Sequence, residues 1–320
     1  RASAEKHAHF GGFFFFQGCG MKYIKPPLTF EEQADLLLKR GMAGDRQQII
    51  ERLSVVNYYR LSGYWHPFRE SADCDTFKPG TCFENIWRRY TFDRRLRLIV
   101  MDAVERIEVA VRTQLAYHHS HLDGNPFSFV ENPSYLPGLT SEDRARFLED
   151  LKRDAQNSKE TFAEHFRKKY GDSHSCMPVW MSCEVMTFGC MLTFYRGSPF
   201  DIHKKLSDFF GVTEEVFSSW LLTLNVIRNI CAHHGRLWNR ELGVKPKIPR
   251  KDPRWHQPVE VTNHRIFSVL SICKFCLDKI APQSRWPMRL RQLLGDYPEI
   301  PLGSMGFPTE WQNSPIWKEP

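Results

Sequence analysis

The run Arg228-Asn229-Ile230-Cys231-Ala232-His233-His234 places a permanent cation, an amide and two imidazoles within two helical turns. Arginine clamps a phosphate through two parallel hydrogen bonds, and histidine titrates near neutral pH. Together these groups suffice to move protons around a phosphodiester without a metal ion. A metal-ligand reading of His233 and His234 is weaker. Adjacent side chains point in different directions, and no carboxylate-rich second segment accompanies them.

The run closes a helix that Thr213 should cap, with Glu214 and Glu215 in the first turn and Gly235 as its stop. The apolar stripe of that helix passes through Phe217, Trp220, Leu224, Ile227 and Cys231. On an ideal helix Arg228 lies about 40° from Leu224, at the stripe's edge, and His233 about 140° further round. Asn229 and His233, four apart, share a face. A site within one chain therefore requires the helix to end or distort near Ala232; otherwise two copies must meet and pool their residues. A plainer alternative pairs Arg228 with a buried carboxylate such as Glu105 or Glu184 and leaves His233 as a helix cap. A cation at a helix C-terminus stabilises by ~0.3–1 kcal/mol, so that alternative is physically sound.

Two basic tracts favour a phosphate-bearing partner. Arg88, Arg89, Arg94, Arg95 and Arg97 cluster against only Asp93, and Arg236, Arg240, Lys245, Lys247, Arg250, Lys251 and Arg254 follow the histidines, opposed by Glu241 and Asp252. Trp238 and Trp255 bracket the second tract. Charged runs are usually solvated faces, but one starting two residues after a phosphate site suits a nucleic-acid backbone. Arg94, Arg97, Arg236, Arg240, Lys245 and Lys247 are the candidate contacts.

The elements around the run read as helices throughout. Thr29 caps a first helix that stops near Gly41, and a second from Asp45 runs toward Tyr58 to Trp65, with Pro67 at its end. A long amphipathic helix over 83–119 carries Leu96, Ile99, Ala103, Ile107, Val111 and Leu115 inward, with Glu108 and Arg112 at the four-residue spacing outside. One polar helix is expected over 140–170, one from Pro178 through Leu192 to Gly197, shorter ones around 200–210, and a last apolar helix over 261–280. Alternation of period two is nearly absent, so the fold class is all-α. Residues 1–20 read as an upstream extension, 21–82 as an N-terminal helical region, and 83–280 as the main helical domain. The tail over 281–320, rich in proline and tryptophan, is expected to wrap the surface.

A chain of 320 residues with 42% hydrophobic and 25% charged residues buries a sizeable core, and its net charge of +7 mildly favours an acidic partner. The nine cysteines are odd in number. Cys176, Cys183 and Cys190 recur every seven residues, and Cys273 and Cys276 sit in an apolar run without a second pair. These read as reduced, buried thiols of a cytoplasmic protein rather than a disulfide framework or zinc site. No apolar stretch is long enough to span a membrane.

Arg228-Asn229-x3-His233 also matches the R-x4-6-H motif of the HEPN ribonuclease superfamily. Four further segments keep the same order: Lys25 to Phe30, Tyr58 to Trp65, Glu105-Arg106-Ile107-Glu108, and Pro178-Val179-Trp180 with Glu184 and Phe188-Gly189. Over about residues 21 to 255 the chain resembles the Abi-like (AbiD/AbiF type) abortive-infection proteins of bacteria. The resemblance implies a HEPN-like helical bundle that dimerises to form a composite cleft. It also implies metal-independent RNA cleavage, in which the 2′-hydroxyl attacks its own phosphate. Arg228, Asn229 and His233 would then be catalytic, with His234 nearby and Glu105 and Glu108 as polar supports for Arg228. No cofactor is expected. The expected partners are RNA, a second copy of the chain, and an antitoxin or small RNA that restrains the activity. The rival readings are a catalytically silent helical module that binds RNA or protein, and a metal-dependent hydrolase.

Overall fold

The computed structural model describes residues 26–70 and 75–318. The expected extension at 1–20 lies outside these residues, as does Lys25. Thirteen α-helices and no strand occur among them, so the fold is all-α as expected. Contacts divide the chain into two compact units, Arg1–Phe83 and Glu84–Pro320.

In the first unit, α1 (Phe30–Lys39) packs against α2 (Arg46–Val55). Thr29 and Glu32 cap α1 reciprocally, each side chain accepting from the other's backbone N–H. Asp45 caps α2 by accepting from Gln48 N at 2.8 Å. The second helix does not continue to Pro67. Val56 is extended, and Asn57 caps a separate α3 (Tyr58–Trp65) by accepting from Tyr59 N at 2.8 Å. An asparagine offers the backbone a local partner outside the helix, which is why the break falls there. Leu37, Ile49, Leu53, Leu61 and Trp65 are buried.

The second unit is built along α4 (Phe83–Ser120), whose Leu96, Ala103, Ile107, Val111 and Leu115 are buried as the stripe requires. After the short α5 (Ser128–Glu131), the expected 140–170 helix is two, α6 (Ser141–Asn157) and α7 (Thr161–Tyr170), separated where Ser158 and Glu160 turn extended. The expected 178–197 helix is likewise split into α8 (Val179–Val185) and α9 (Phe188–Gly197). Arg112 of α4 donates to Met186 O at 2.7 Å and Glu184 O at 3.0 Å, satisfying carbonyls freed at that break. Then follow α10 (Phe200–Phe210), α11 (Glu214–Ala232), α12 (Ile266–Ile280) and α13 (Trp286–Asp296). The tail is part of the core rather than a surface wrap. Trp286 and Trp317 are fully buried, and their indoles donate to Ile99 O at 2.7 Å and Ser271 Oγ at 3.0 Å. Buried indoles carry large apolar area and one donor each, and both are satisfied. Cys176, Cys183, Cys190, Cys273 and Cys276 are buried free thiols.

Candidate active site

Helix α11 turns Phe217, Trp220, Leu221, Leu224, Ile227 and Cys231 into the core. Arg228 is half-buried at the edge of that stripe, and Asn229, His233 and His234 are exposed. The Arg228 Nη1 reaches Asn229 Oδ1 at 3.5 Å, and the guanidinium pairs with no carboxylate among the described residues. Glu105 is exposed, Glu108 pairs with Arg112, and Glu184 offers Arg112 only its backbone carbonyl. Glu105 and Glu108 therefore do not support Arg228, which corrects that expectation. The alternative of a buried ion pair for Arg228 falls with it.

The helix ends at Ala232, where the wheel argument required an end for a site within one chain. His233 N donates to Asn229 O at 3.0 Å, His234 N to Cys231 O at 3.0 Å and Gly235 N to Ile230 O at 2.7 Å. The last two bonds form a Schellman end, which needs a left-handed residue just past the cap. That residue is His234, with φ +58°, and not Gly235. Histidine tolerates this region better than most side chains but still at a cost. Gly235 is needed for space instead: a Cβ there would lie 3.1 Å from Ile230 Cγ2 and 3.2 Å from Ile230 O.

The chain leaving this turn is held by α4. Asp93, 0% exposed, accepts from the backbone N–H of Leu237 at 3.1 Å and of Trp238 at 2.7 Å. Arg97 Nη1 lies 2.5 Å from Asp93 Oδ2 and also donates to Gly235 O at 3.3 Å. Arg97 is only 6% exposed, so it leaves the set of candidate RNA contacts; its charge is committed inside the fold. Sequence reading overlooked Asp93 as the residue that ties this stretch of chain to α4. The signal was present: an acid and a base four apart at core-facing positions beside Phe92 and Leu96 must find each other or remain unpaired.

The remaining basic residues are less free than their number suggests. Arg88 pairs with Glu299 at 2.5 Å and Arg95 with Asp296 at 2.8 Å, carboxylates from the far end of the chain. Arg94 is exposed. Lys245 pairs with Glu241 at 3.2 Å, Lys247 with Glu215, and Arg254 with Asp252 at 2.7 Å. Arg236 is half-buried, and its carbonyl accepts from Nε of the exposed Arg240 at 2.8 Å. Trp238 and Trp255 are buried and do not offer stacking faces to solvent. The tract runs back along α11, since Trp220 Nε1 donates to Lys247 O at 2.8 Å and Lys247 N to Ser219 Oγ at 2.9 Å. It ends at a cleft of about 960 Å³ near the N-terminus of α11, where Arg250 and Lys251 share the wall with Asp208, Glu215 and Glu260.

Burial pushes the Cys231 thiol up to about 12, so it stays protonated at neutral pH and is no nucleophile. Among the described residues, no three His, Cys, Asp or Glu side chains converge to hold a metal ion. No helix among them is long and apolar enough to cross a membrane. Residues 51–239 match the family described as Abi-like protein. No curated protein and no solved structure matches the chain.

Proposed function

The chain belongs to the Abi-like family, and on that premise we propose that it is a metal-independent endoribonuclease of a bacterial abortive-infection or toxin-like antiphage system. The observation that carries this reading is Arg228: a half-buried guanidinium with no carboxylate partner among the described residues, within two turns of two exposed imidazoles. A cation left unpaired inside a protein edge is poised for an anion from outside. The R-x4-H resemblance makes that anion a phosphodiester.

In the reaction, one imidazole takes the proton of the ribose 2′-hydroxyl as its oxygen attacks the adjacent phosphorus. The bond from phosphorus to the 5′-oxygen breaks, and that oxygen receives a proton from a protonated imidazole. The products are a 2′,3′-cyclic phosphate and a 5′-hydroxyl. His233 is the proton-transfer residue, a role worth ~10²–10⁴-fold. Arg228 stabilises the extra charge on the phosphorane-like transition state. Asn229, hydrogen-bonded to Arg228, orients the guanidinium or the phosphate, and His234 stands beside them. DNA lacks the nucleophile and is not cut.

Two copies of the chain contribute to one cleft. The support is the outward face of α11, where Leu222, Val226, Asn229 and His233 follow at steps of four, three and four. Leu222 is 44% exposed, so an apolar residue stands on the same stripe as the candidate proton-transfer group. Arg94 and Arg240 are the exposed candidate RNA contacts, with Arg236 beside them and Lys245 and Lys247 available on exchange of their carboxylate partners. An antitoxin or small RNA would restrain such a nuclease in the host.

The deciding experiment incubates purified protein with defined RNA in EDTA and identifies the fragment ends. Cleavage leaving cyclic phosphate is expected, and Arg228→Ala and His233→Ala should each lower it at least 100-fold while RNA binding persists. If both folded variants cut like the wild type, the assignment fails and a binding module takes its place. Cleavage abolished by EDTA and restored by a divalent ion would favour a metal-dependent hydrolase.

A further inference from the structure

Asp93 is the most deeply buried acid near the histidines, and the mechanism above does not use it. Its carboxylate accepts from the backbone N–H of Leu237 and of Trp238 and pairs with Arg97, which donates in turn to Gly235 O. Residues 235, 237 and 238 are therefore tied to α4 by this one ion pair. On the other side, the N–H groups of His233, His234 and Gly235 are tied to α11 by the helix-ending bonds. The two-residue step that carries the imidazoles is fixed from both ends, although its side chains stand in solvent. Nothing in solubility or capping requires so much buried polar structure behind an exposed turn. Burying a charged pair is costly and is weak evidence of a stabilising role, which leaves position as the use to test.

We infer that Asp93 and Arg97 are positioning residues for the Arg228–His233 site, acting through the 235–238 backbone to hold the imidazoles at one height and direction. This rests on the nuclease reading above. Neither residue touches RNA. Asp93 is 0% exposed and Arg97 6% exposed, so they set geometry and leave binding alone. A misplacement of about 1 Å in a reacting group can cost about 100-fold in rate, which is the scale such a clip protects.

The test is Asp93→Asn, which keeps the shape and one acceptor oxygen but removes the charge that holds Arg97. The expected result is a fall in kcat of roughly 10- to 100-fold, with KM and the Kd for an uncleavable 2′-deoxy analogue unchanged within twofold. Arg97→Lys, which retains the charge but loses the planar fork, should show the same split more weakly. It also stands in should Asp93→Asn not fold. A purely structural role predicts a lower Tm but full kcat per folded molecule, and that result overturns the inference.

A second readout does not need activity. The histidine ring signals of His233 and His234 and the amide signals of Leu237 and Trp238 should move in NMR spectra of either variant. If the wild type cuts no RNA, the nuclease reading fails. The clip is then judged on these signals alone: unmoved histidine rings reject it, and moved rings retain it as the device that sets the turn.

Discussion

At the scale of single residues, the turn at His234 separates two uses of a side chain. His234 occupies the left-handed region that a Schellman end requires, with φ +58°. Its imidazole and its backbone can be tested apart. His234→Gly and His234→Ala both lose the ring, so any difference between them reports only the backbone. The glycine variant should be more stable by ~1 kcal/mol, read from urea unfolding, because alanine bears the left-handed penalty. Equal stability would mean that the turn relaxes when the ring is gone. At Gly235 glycine is again favoured over alanine, for space rather than for backbone conformation. A Cβ would press on the Ile230 carbonyl oxygen, which the helix holds in place. The sequence marks Arg228, Asn229 and His233 as candidates because the motif falls where the helix ends. It misplaced the left-handed residue, because glycine is the usual occupant and only the register of the last hydrogen bonds shows that histidine took the position.

At the scale of elements, α4 is the organising helix, and it carries buried polar groups in its first half and at its C-terminal end. The Asp93–Arg97 clip holds the site from one part of it, and His119 anchors the other. His119 Nε2 lies 2.8 Å from Ser198 Oγ and its ring stacks on Phe194 at 4.3 Å. Ser198 spends its own hydrogen on Phe194 O at 2.8 Å, so the His119 ring carries its proton on Nε2 and is neutral. Burial, with smaller contributions from His118 and His203, lowers its pKa from 6.5 to about 3. Below pH 6.5 the unfolded chain binds a proton that the folded chain refuses. The stabilisation is thus complete above pH 6.5 and is lost progressively as pH falls toward about 3. His119→Gln should flatten this acid limb by up to ~1.4 kcal/mol per pH unit, measured by urea unfolding across that window. An unchanged slope would place the acid sensitivity elsewhere. The stripe of α4 was readable from apolar spacing alone. The breaks at Ser158 and Met186 were not, because Arg167 satisfies the Ala155 and Ser158 carbonyls and Arg112 those of Met186 and Glu184, each from another helix, and spacing along the chain carries no record of that.

At the scale of the whole molecule, charge and exposed apolar surface together bear on whether one copy suffices. The arginine tract at 88–97 looked open to a phosphate backbone because its neighbours in sequence hold one acid. Asp296 and Glu299, two hundred residues away, neutralise Arg95 and Arg88, and this pairing exists only in three dimensions. Much of the net charge of +7 is therefore not gathered beside the histidines. That shifts weight onto pooling: two copies of Arg228, brought together, supply a field that one does not. The stripe Leu222, Val226, Asn229 and His233 gives this a handle. If that face joins two copies, Leu222→Glu sets like charges against each other and removes an apolar contact. Association should weaken at least tenfold in sedimentation equilibrium, and RNA cleavage should fall in parallel, with recovery as protein concentration rises. The fold of the isolated chain should be unaffected, since Leu222 does not belong to the core. A variant that is monomeric and fully active would show that the ending of α11 at Ala232 already completes the site within one chain. A variant that is dimeric and inactive would instead put Leu222 against the RNA.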